Sequence, residues 1–145
     1  MRGVFSIATL ALFVGLTALP ARAQTPDTTT ALASLRDGVF TTAQAEQGAA
    51  IFEETCMRCH QPEQFTGPGF LDAWSGQTVD ALFDVLRTTM PEDNPSSLKK
   101  REYAAILAFL FSLNGMPAGE ADLPITTRKL KQIRIEASIA TNEQP

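Results

Sequence analysis

The two cysteines and the single histidine of this 145-residue chain lie within five consecutive residues, Cys56-Met57-Arg58-Cys59-His60. Two cysteines cannot form the dense disulfide network that stabilises many small exported domains. A single histidine excludes sites that need two imidazoles, such as a histidine-rich zinc centre. With 44% of its residues hydrophobic, the chain is expected to fold as one globular domain around an ordinary apolar core, with one site.

The spacing of the cysteines and the histidine predicts a site on one face of a helix. Residues at positions i, i+3 and i+4 of a helix lie on the same side, so Cys56, Cys59 and His60 converge. C-x-x-C-H is the attachment signature of c-type haem. The two thiols form thioether bonds with the porphyrin vinyl groups, and the imidazole becomes an axial ligand of the iron. We therefore expect one covalently bound haem c.

Three other kinds of site also use closely spaced cysteines. A thioredoxin-like dithiol of Cys56 and Cys59 would require a βαβ pattern around the motif, and the sequence shows none. A zinc site would require a fourth ligand, yet the chain has no further cysteine or histidine. A purely structural disulfide would leave the long predicted loops unexplained. These three interpretations are the alternatives to haem.

The second axial ligand of the iron is expected to be a methionine, because the chain has no second histidine. Met57 lies inside the attachment motif and cannot reach the other face of the haem. Met90 ends a predicted helix, and the following Pro91 keeps it extended, which we expect to direct its sulfur inward. Met116 also precedes a proline and is the alternative ligand. Filling of the core is the competing role for Met90.

Ligation by a histidine and a methionine predicts a protein that transfers electrons and is not an enzyme. A thioether ligand raises the reduction potential of haem, and an iron with both axial positions filled does not activate peroxide or oxygen. A peroxidase would need an acid–base histidine on the distal side, and the chain has no histidine besides His60. The alternatives are a haem enzyme or gas sensor with an open distal position, and a CxxC thiol oxidoreductase.

The first 23 residues have the pattern of a cleaved secretory signal peptide. Arg2 is followed by an apolar stretch over residues 4–19, and Ala21-Arg22-Ala23 is an A-x-A cleavage site. An uncleaved membrane anchor is the alternative. Loss of Arg2 and Arg22 changes the formal net charge from −4 to −6. We expect a periplasmic protein whose mature chain has no membrane span and, being acidic, binds neither nucleic acid nor anionic lipid.

The remaining sequence predicts an all-α domain, because its apolar residues recur with helical spacing. Helices are predicted at residues 42–59, at 78–89, from 96 or 97 to 113, and in a short stretch at 127–134. Residues 61–76 are rich in glycine and proline and are expected to form a long loop that wraps something. Residues 24–40 are expected to form a flexible leader.

Three stretches between residues 41 and 119 share their pattern with one known family. They read QAEQGAAIFEETCMRCH, GPGFLDAWSGQTVDALFDVLRTTMPEDNP and SLKKREYAAILAFLFSLNGMPAG. Together they resemble the class I c-type cytochromes, especially those paired with or fused to quinoprotein dehydrogenases. The resemblance implies a small cytochrome c-like fold of about three to four helices around one covalent haem. It also implies that Cys56, Cys59 and His60 hold the haem and that Met90 is the distal iron ligand.

Two further residues are candidates for hydrogen bonds to the haem propionates. The indole N–H of Trp74 and the guanidinium of Arg87 are both suitable donors, although Trp74 would equally suit the core and Arg87 the surface. Six apolar residues are candidates for lining the haem: Phe52, Phe70, Leu71, Leu82, Leu86 and Leu110.

The sequence predicts a division of the chain into four parts. They are a signal peptide at residues 1–23, the leader at 24–40, a cytochrome domain at 41–119 and a C-terminal extension at 120–145. The expected partners are redox proteins. We expect the protein to take electrons from a donor such as a quinoprotein dehydrogenase. It would then pass them to another cytochrome or to an oxidase.

Overall fold

The computed structural model describes residues 33–136. The predicted signal peptide, residues 1–23, lies outside the described residues. So do residues 24–32 of the predicted leader and residues 137–145 of the predicted extension.

The described chain is mainly helical, which confirms the predicted all-α fold. Helix α1 spans Thr42–Thr55, α2 Pro68–Trp74, α3 Val79–Thr89, α4 Lys100–Leu113 and α5 Thr127–Leu130. Strands β1 at Ala33–Ser34 and β2 at Ile133–Arg134 form a small parallel pair. Helices α1 and α4 have 14 residues each, and none of the described helices is both long and apolar enough to cross a bilayer.

Helices α1 and α4 pack against each other and form the centre of the fold. Helix α1 starts where the hydroxyl of Thr41 accepts a 3.1 Å hydrogen bond from the amide of Gln44. This bond satisfies one of the N–H groups that a helix leaves unpaired at its first turn. The two helices come so close at Gly48 that a side chain there would collide with the backbone of Ala105. Glycine at this position therefore permits the close crossing.

Helix α4 begins at Lys100, later than the predicted start at Ser96 or Ser97. Ser96 has a left-handed backbone with a φ of 65°, which no helical residue adopts. The carboxylate of Glu102 instead accepts a 2.7 Å hydrogen bond from the amide of Lys99. A carboxylate in this position pairs a free amide and interacts favourably with the helix dipole, so it marks the true start.

The prediction that residues 61–76 form a loop is wrong for part of that segment. Residues Pro62–Phe65 form a 3₁₀ turn, and Pro68–Trp74 form α2. Pro68 favours a helix start because its ring already holds φ near the helical value. Helix α2 has seven residues and buries Leu71. A helix of two turns with a single buried residue is too short to show apolar periodicity in the sequence, so this helix could not be predicted.

Residues 33–40 are packed against the domain, so the prediction of a flexible leader is wrong for them. The side chains of Leu35 and Phe40 are almost completely buried. The amide of Ala33 donates a 2.7 Å hydrogen bond to the carbonyl of Gln132. This packing depends on a strand about 100 residues away and on isolated apolar residues, neither of which produces a local sequence pattern.

The predicted C-terminal extension is also packed, from residue 120 to residue 136. The side-chain amide of Gln44 bonds both backbone groups of Leu123. Its Nε2 donates to the carbonyl at 3.2 Å, and its Oε1 accepts from the N–H at 2.7 Å. These two bonds attach the start of the extension to α1, and Leu123 itself is buried.

The end of the extension pairs with the connection between α2 and α3. The amide of Gly76 donates to the carbonyl of Ile135, and the amide of Ile135 donates to the carbonyl of Gln77, both at 2.9 Å. The predicted helix at 127–134 is therefore shorter than expected. Helix α5 ends at Leu130, because residues 133 and 134 are extended in β2.

Candidate functional site

The C-x-x-C-H motif forms a turn that continues directly from the end of α1. The amides of Cys56 and Met57 donate to the carbonyl of Phe52 at 2.8 and 3.1 Å. The amides of Cys59 and His60 then both donate to the carbonyl of Cys56, at 3.0 and 2.9 Å. The regular helix ends at Thr55, earlier than the predicted end at Cys59, but the turn still gathers the three residues.

A cavity of about 480 Å³ opens beside this turn. It lies within the size range of about 300–1,000 Å³ that is typical of ligand and cofactor sites. The lining residues come from α1, the motif, the end of α3 and the segment after it, and α4. They are Phe52, Thr55, Cys56, Arg58, Cys59, His60, Phe65, Leu86, Met90, Pro91, Glu92, Asp93, Ile106 and Leu110. Both cysteines, the histidine and Met90 therefore share one cavity.

The two cysteines are free thiols with different exposure. Cys56 is half-buried and Cys59 is exposed. Burial raises the pKa of the Cys56 thiol above its ordinary value. Thiol oxidoreductases depend on a cysteine whose pKa is lowered, so that the thiolate is populated near neutral pH. The environment of Cys56 is therefore the opposite of the one that a CxxC redox enzyme needs.

The imidazole of His60 is supported by a cluster of aromatic rings. Its centroid lies 5.3 Å from that of Phe65, edge to face, and the Phe65 ring in turn lies 5.8 Å from Phe52. The carbonyl of Phe65 accepts a 2.7 Å hydrogen bond from Nδ2 of Asn114, at the end of α4. Asn114 at the end of α4 thus fixes the residue that packs against the histidine.

Met90 and Met116, the two methionines considered as distal ligands, occupy different places. Met90 follows α3 with an extended backbone at φ −125° and ψ 150°, as the following proline predicts, and it lines the 480 Å³ cavity. Met116 is buried and lines a separate cavity of about 300 Å³ between α1 and the end of α4. Met57 is exposed and lines neither cavity among the described residues.

Trp74 and Arg87, the candidate propionate donors, do not line the larger cavity in the described part of the chain. Trp74 ends α2, where it is half-buried against the hydrophobic core. The guanidinium of Arg87 lies 3.0 Å from the carboxylate of Asp84, one helical turn earlier. The structure thus brings Met90 together with the motif and places these two residues outside the cavity lining.

The apolar lining was only partly predictable. Phe52, Leu86 and Leu110 line the cavity as expected. Phe70, Leu71 and Leu82 pack in the hydrophobic core instead and are not part of its wall in the described chain. Ile106 and Phe65 line the cavity and were not anticipated. Ile106 lies one turn before Leu110 on α4, so helical spacing offered a signal for it.

Charged residues stand at the edge of the cavity and had not been singled out from the sequence. Glu92 and Asp93 follow Pro91, and Arg58 lies inside the motif. One guanidinium nitrogen of Arg58 lies 3.4 Å from a carboxylate oxygen of Asp93, and both side chains are 67% exposed. An ion pair so exposed contributes little stability. The free carboxylate of Glu92 makes this edge acidic.

One family model matches the chain. The family is described as cytochrome c oxidase, cbb3-type, subunit III, and the match covers residues 43–110, slightly less than half of the chain. The matched region begins in α1 and ends in α4, so it includes the motif and every residue that lines the 480 Å³ cavity. No curated protein and no solved structure matches the chain significantly.

Proposed function

We propose that residues 43–110, which match the family model of cytochrome c oxidase, cbb3-type, subunit III, form a class I c-type cytochrome domain with covalently bound haem c, and that the protein is an exported monohaem carrier of single electrons. The bound haem supplies an iron that changes its oxidation state by one electron. The observation that carries the proposal is the shared cavity. Two thiols, one imidazole and one thioether line the same space, and these are the groups that attach and ligate a haem of this type.

Each of these residues has a separate role in the proposal. Cys56 and Cys59 would hold the cofactor through thioether bonds, and His60 would be the proximal iron ligand. Met90 would be the distal ligand. With His60 and Met90 as its two protein ligands, the iron would have no position left for peroxide or oxygen. The protein therefore transfers electrons and does not catalyse a reaction of a bound substrate.

The chain's other residues support this role by controlling the surroundings of the cavity. The aromatic contact of His60 with Phe65, at 5.3 Å, restricts rotation of the imidazole. Ile106 and Leu110 form an apolar wall on α4, which excludes water from that side. Exclusion of water disfavours the more highly charged oxidised centre, so this wall raises the reduction potential in the same direction as a methionine ligand.

The proposed donor is a dehydrogenase, and the proposed acceptor is another cytochrome or an oxidase. The resemblance of residues 41–119 to cytochromes associated with quinoprotein dehydrogenases supports a donor of this class. The description of the matched family as an oxidase subunit supports the acceptor. Because the edge of the cavity is acidic, a partner with a basic surface fits best.

The proposed location is the periplasm. The pattern of residues 1–23 supports export, as does the attachment chemistry, since c-type haem is joined to its protein outside the cytoplasm. Mass spectrometry of the protein purified from a bacterial periplasm tests this proposal. The expected mature chain begins at Gln24 and carries one haem. Haem-loaded protein that retains residues 1–23 and sediments with membranes would instead support the anchor.

An absorption spectrum of protein produced with a haem-attachment system tests the proposed function. We expect one haem that survives denaturing electrophoresis, a low-spin ferric spectrum and a weak charge-transfer band characteristic of a methionine–iron bond. A high-spin ferric spectrum would support an enzyme or gas sensor with an open distal position. Colourless protein with a Cys56–Cys59 disulfide would support the thiol oxidoreductase.

A separate experiment addresses the partners. Native exported protein is captured from periplasmic extract at low ionic strength, and the proteins retained with it are stained for haem and identified by mass spectrometry. A dehydrogenase that reduces the purified cytochrome would support the proposed donor. Recovery of redox proteins that only oxidise it would contradict that part of the proposal.

A further inference from the structure

The hydroxyl of Tyr103 joins two residues that are distant from each other in the loop before α4. It donates a 2.8 Å hydrogen bond to the carbonyl of Met90 and accepts a 3.4 Å hydrogen bond from the amide of Leu98. Tyr103 lies in the second turn of α4, and its side chain is 1% exposed. Its ring packs edge to face against Phe83 of α3 at 6.4 Å. The hydroxyl is therefore held in place by a fully packed ring.

Met90 and Leu98 are the two ends of residues 90–98, the Met90 segment. Inside the segment, the amide of Asn94 donates to the carbonyl of Pro91 at 3.0 Å. This bond shapes the segment but does not attach it to the rest of the domain. The amide of Met90 continues the hydrogen bonding of α3 by donating to the carbonyl of Leu86 at 3.0 Å, and the hydroxyl of Tyr103 joins both ends of the segment to α4.

Two side-chain interactions that attach the middle of the Met90 segment are at the surface. The hydroxyl of Ser96 donates to the carbonyl of Arg87 at 3.0 Å, in exposed surroundings. The ion pair between Asp93 and Arg58 is also exposed. Water competes for exposed bonds, so their net contribution is small. A buried hydroxyl that uses both its donor and its acceptor capacity is harder to replace with water.

We propose that Tyr103 is a positioning residue that holds the Met90 segment closed against the cavity and so keeps Met90 available to the iron. This inference rests on the proposed role of Met90 as the distal ligand. Tyr103 does not itself line the cavity, and it acts through the backbone of the segment. Removal of the hydroxyl leaves the carbonyl of Met90 and the amide of Leu98 without their partner, so the segment opens more often.

The test variant is Tyr103→Phe, which keeps the packed ring and removes the two hydrogen bonds. Added imidazole binds the ferric haem protein when the distal ligand has left the iron, so its apparent affinity reports how often the segment opens. We expect the affinity for imidazole to rise about tenfold, the effect of losing one to two part-buried hydrogen bonds. Covalent haem content is expected to be unchanged.

The matched control is Ile133→Val in β2, a buried residue outside the cavity lining. This substitution is expected to lower the free energy of unfolding by about as much as Tyr103→Phe does, and it does not touch the Met90 segment. If Tyr103 serves only the general packing of the core, both variants will shift the affinity for imidazole equally. That result would overturn the proposal, as would an unchanged affinity in Tyr103→Phe.

Amide hydrogen exchange separates this inference from the proposed function. We expect the amide of Leu98 to exchange about tenfold faster in Tyr103→Phe than in Ile133→Val. If Met90→Ala retains the methionine–iron band, the ligand assignment is wrong, and faster exchange at Leu98 still supports the positioning of the segment by Tyr103. Unchanged exchange at Leu98 would overturn the inference, whatever Met90→Ala shows.

Discussion

Gly48 of α1 lies against the carbonyl of Ala105 of α4 so closely that a methyl group on Gly48 would overlap the carbonyl oxygen. The next residue along α4 is Ile106, which lines the larger cavity, and the motif follows the end of α1. The distance between the two helices at this crossing therefore sets how far the motif lies from the apolar wall of the cavity.

Gly48→Ala is expected to destabilise the protein by at least about 2 kcal/mol, because backbone atoms rather than a flexible side chain must move. Urea unfolding of the haem-loaded protein measures the effect. Gly69→Ala in α2 is the matched control, since a methyl group there meets no atom within 4 Å. The control is expected to be neutral or slightly stabilising. Equal stabilities for the two variants would show that α1 and α4 do not cross at Gly48.

Met90→Ala is expected to abolish the methionine–iron band and lower the reduction potential, because an axial thioether raises that potential. The covalent haem is expected to remain. Visible spectra and a redox titration measure both effects. Met116→Ala serves as the comparison: it should retain the band and lose about 2–3 kcal/mol of stability through the space left in the core. A loss of the band in Met116→Ala alone would reverse the assignment.

Gln44→Leu is expected to loosen residues 120–136 from α1. The substitution removes both hydrogen bonds to the backbone of Leu123 and leaves a buried amide and a buried carbonyl unpaired, at a cost of about 2–4 kcal/mol. Hydrogen exchange should accelerate in residues 120–136 more than in α4. Gln47→Leu, on the exposed side of the same helix, should leave both stability and exchange unchanged. Similar effects of the two substitutions would argue against the role of Gln44.

Glu92→Gln is expected to change the reactions of the reduced protein with small charged oxidants in opposite directions. Loss of a negative charge at the edge of the cavity should slow oxidation by a cationic cobalt(III) chelate and accelerate oxidation by ferricyanide, each about twofold at low salt. Stopped-flow kinetics at two ionic strengths measure this, since screening should remove the difference at high salt. Glu120→Gln, which lies away from the cavity lining, should have no such effect. If it behaves like Glu92→Gln, only the net charge of the protein matters.

The placement of the motif and Met90 around one cavity could be predicted from local sequence features. The motif is local, and its five adjacent residues are enough to predict that Cys56, Cys59 and His60 converge, although the helix was expected to continue to Cys59. The position of Met90 followed from the restriction that Pro91 imposes on the preceding backbone, and the structure places Met90 in the cavity of the motif. Tyr103 lies within the helix that was predicted from residue 96 or 97 to residue 113, but that prediction gave its hydroxyl no role. Its hydroxyl reaches the backbone of Met90 and Leu98 only because of the conformation of residues 90–98. No local sequence pattern predicts that conformation.

The parts of the fold that the sequence did not predict depend on pairing between distant segments. Residues 33–40 are ordered because β1 meets β2 and because Leu35 and Phe40 enter the core. Residues 120–136 are ordered because Gln44 recognises the backbone of Leu123. A glutamine on a helix usually faces solvent, so its sequence position gave no reason to expect this role.

The side-by-side arrangement of β1 and β2 determines where other molecules can be joined to this protein. Arg134 of β2 pairs with Thr78, just before α3, whereas Met90 follows the opposite end of that helix. Twelve residues at 1.5 Å each separate these points by about 18 Å. A fusion partner or an electrode linker attached near either strand would thus be held at the end of α3 away from Met90, and the 480 Å³ cavity would stay uncovered.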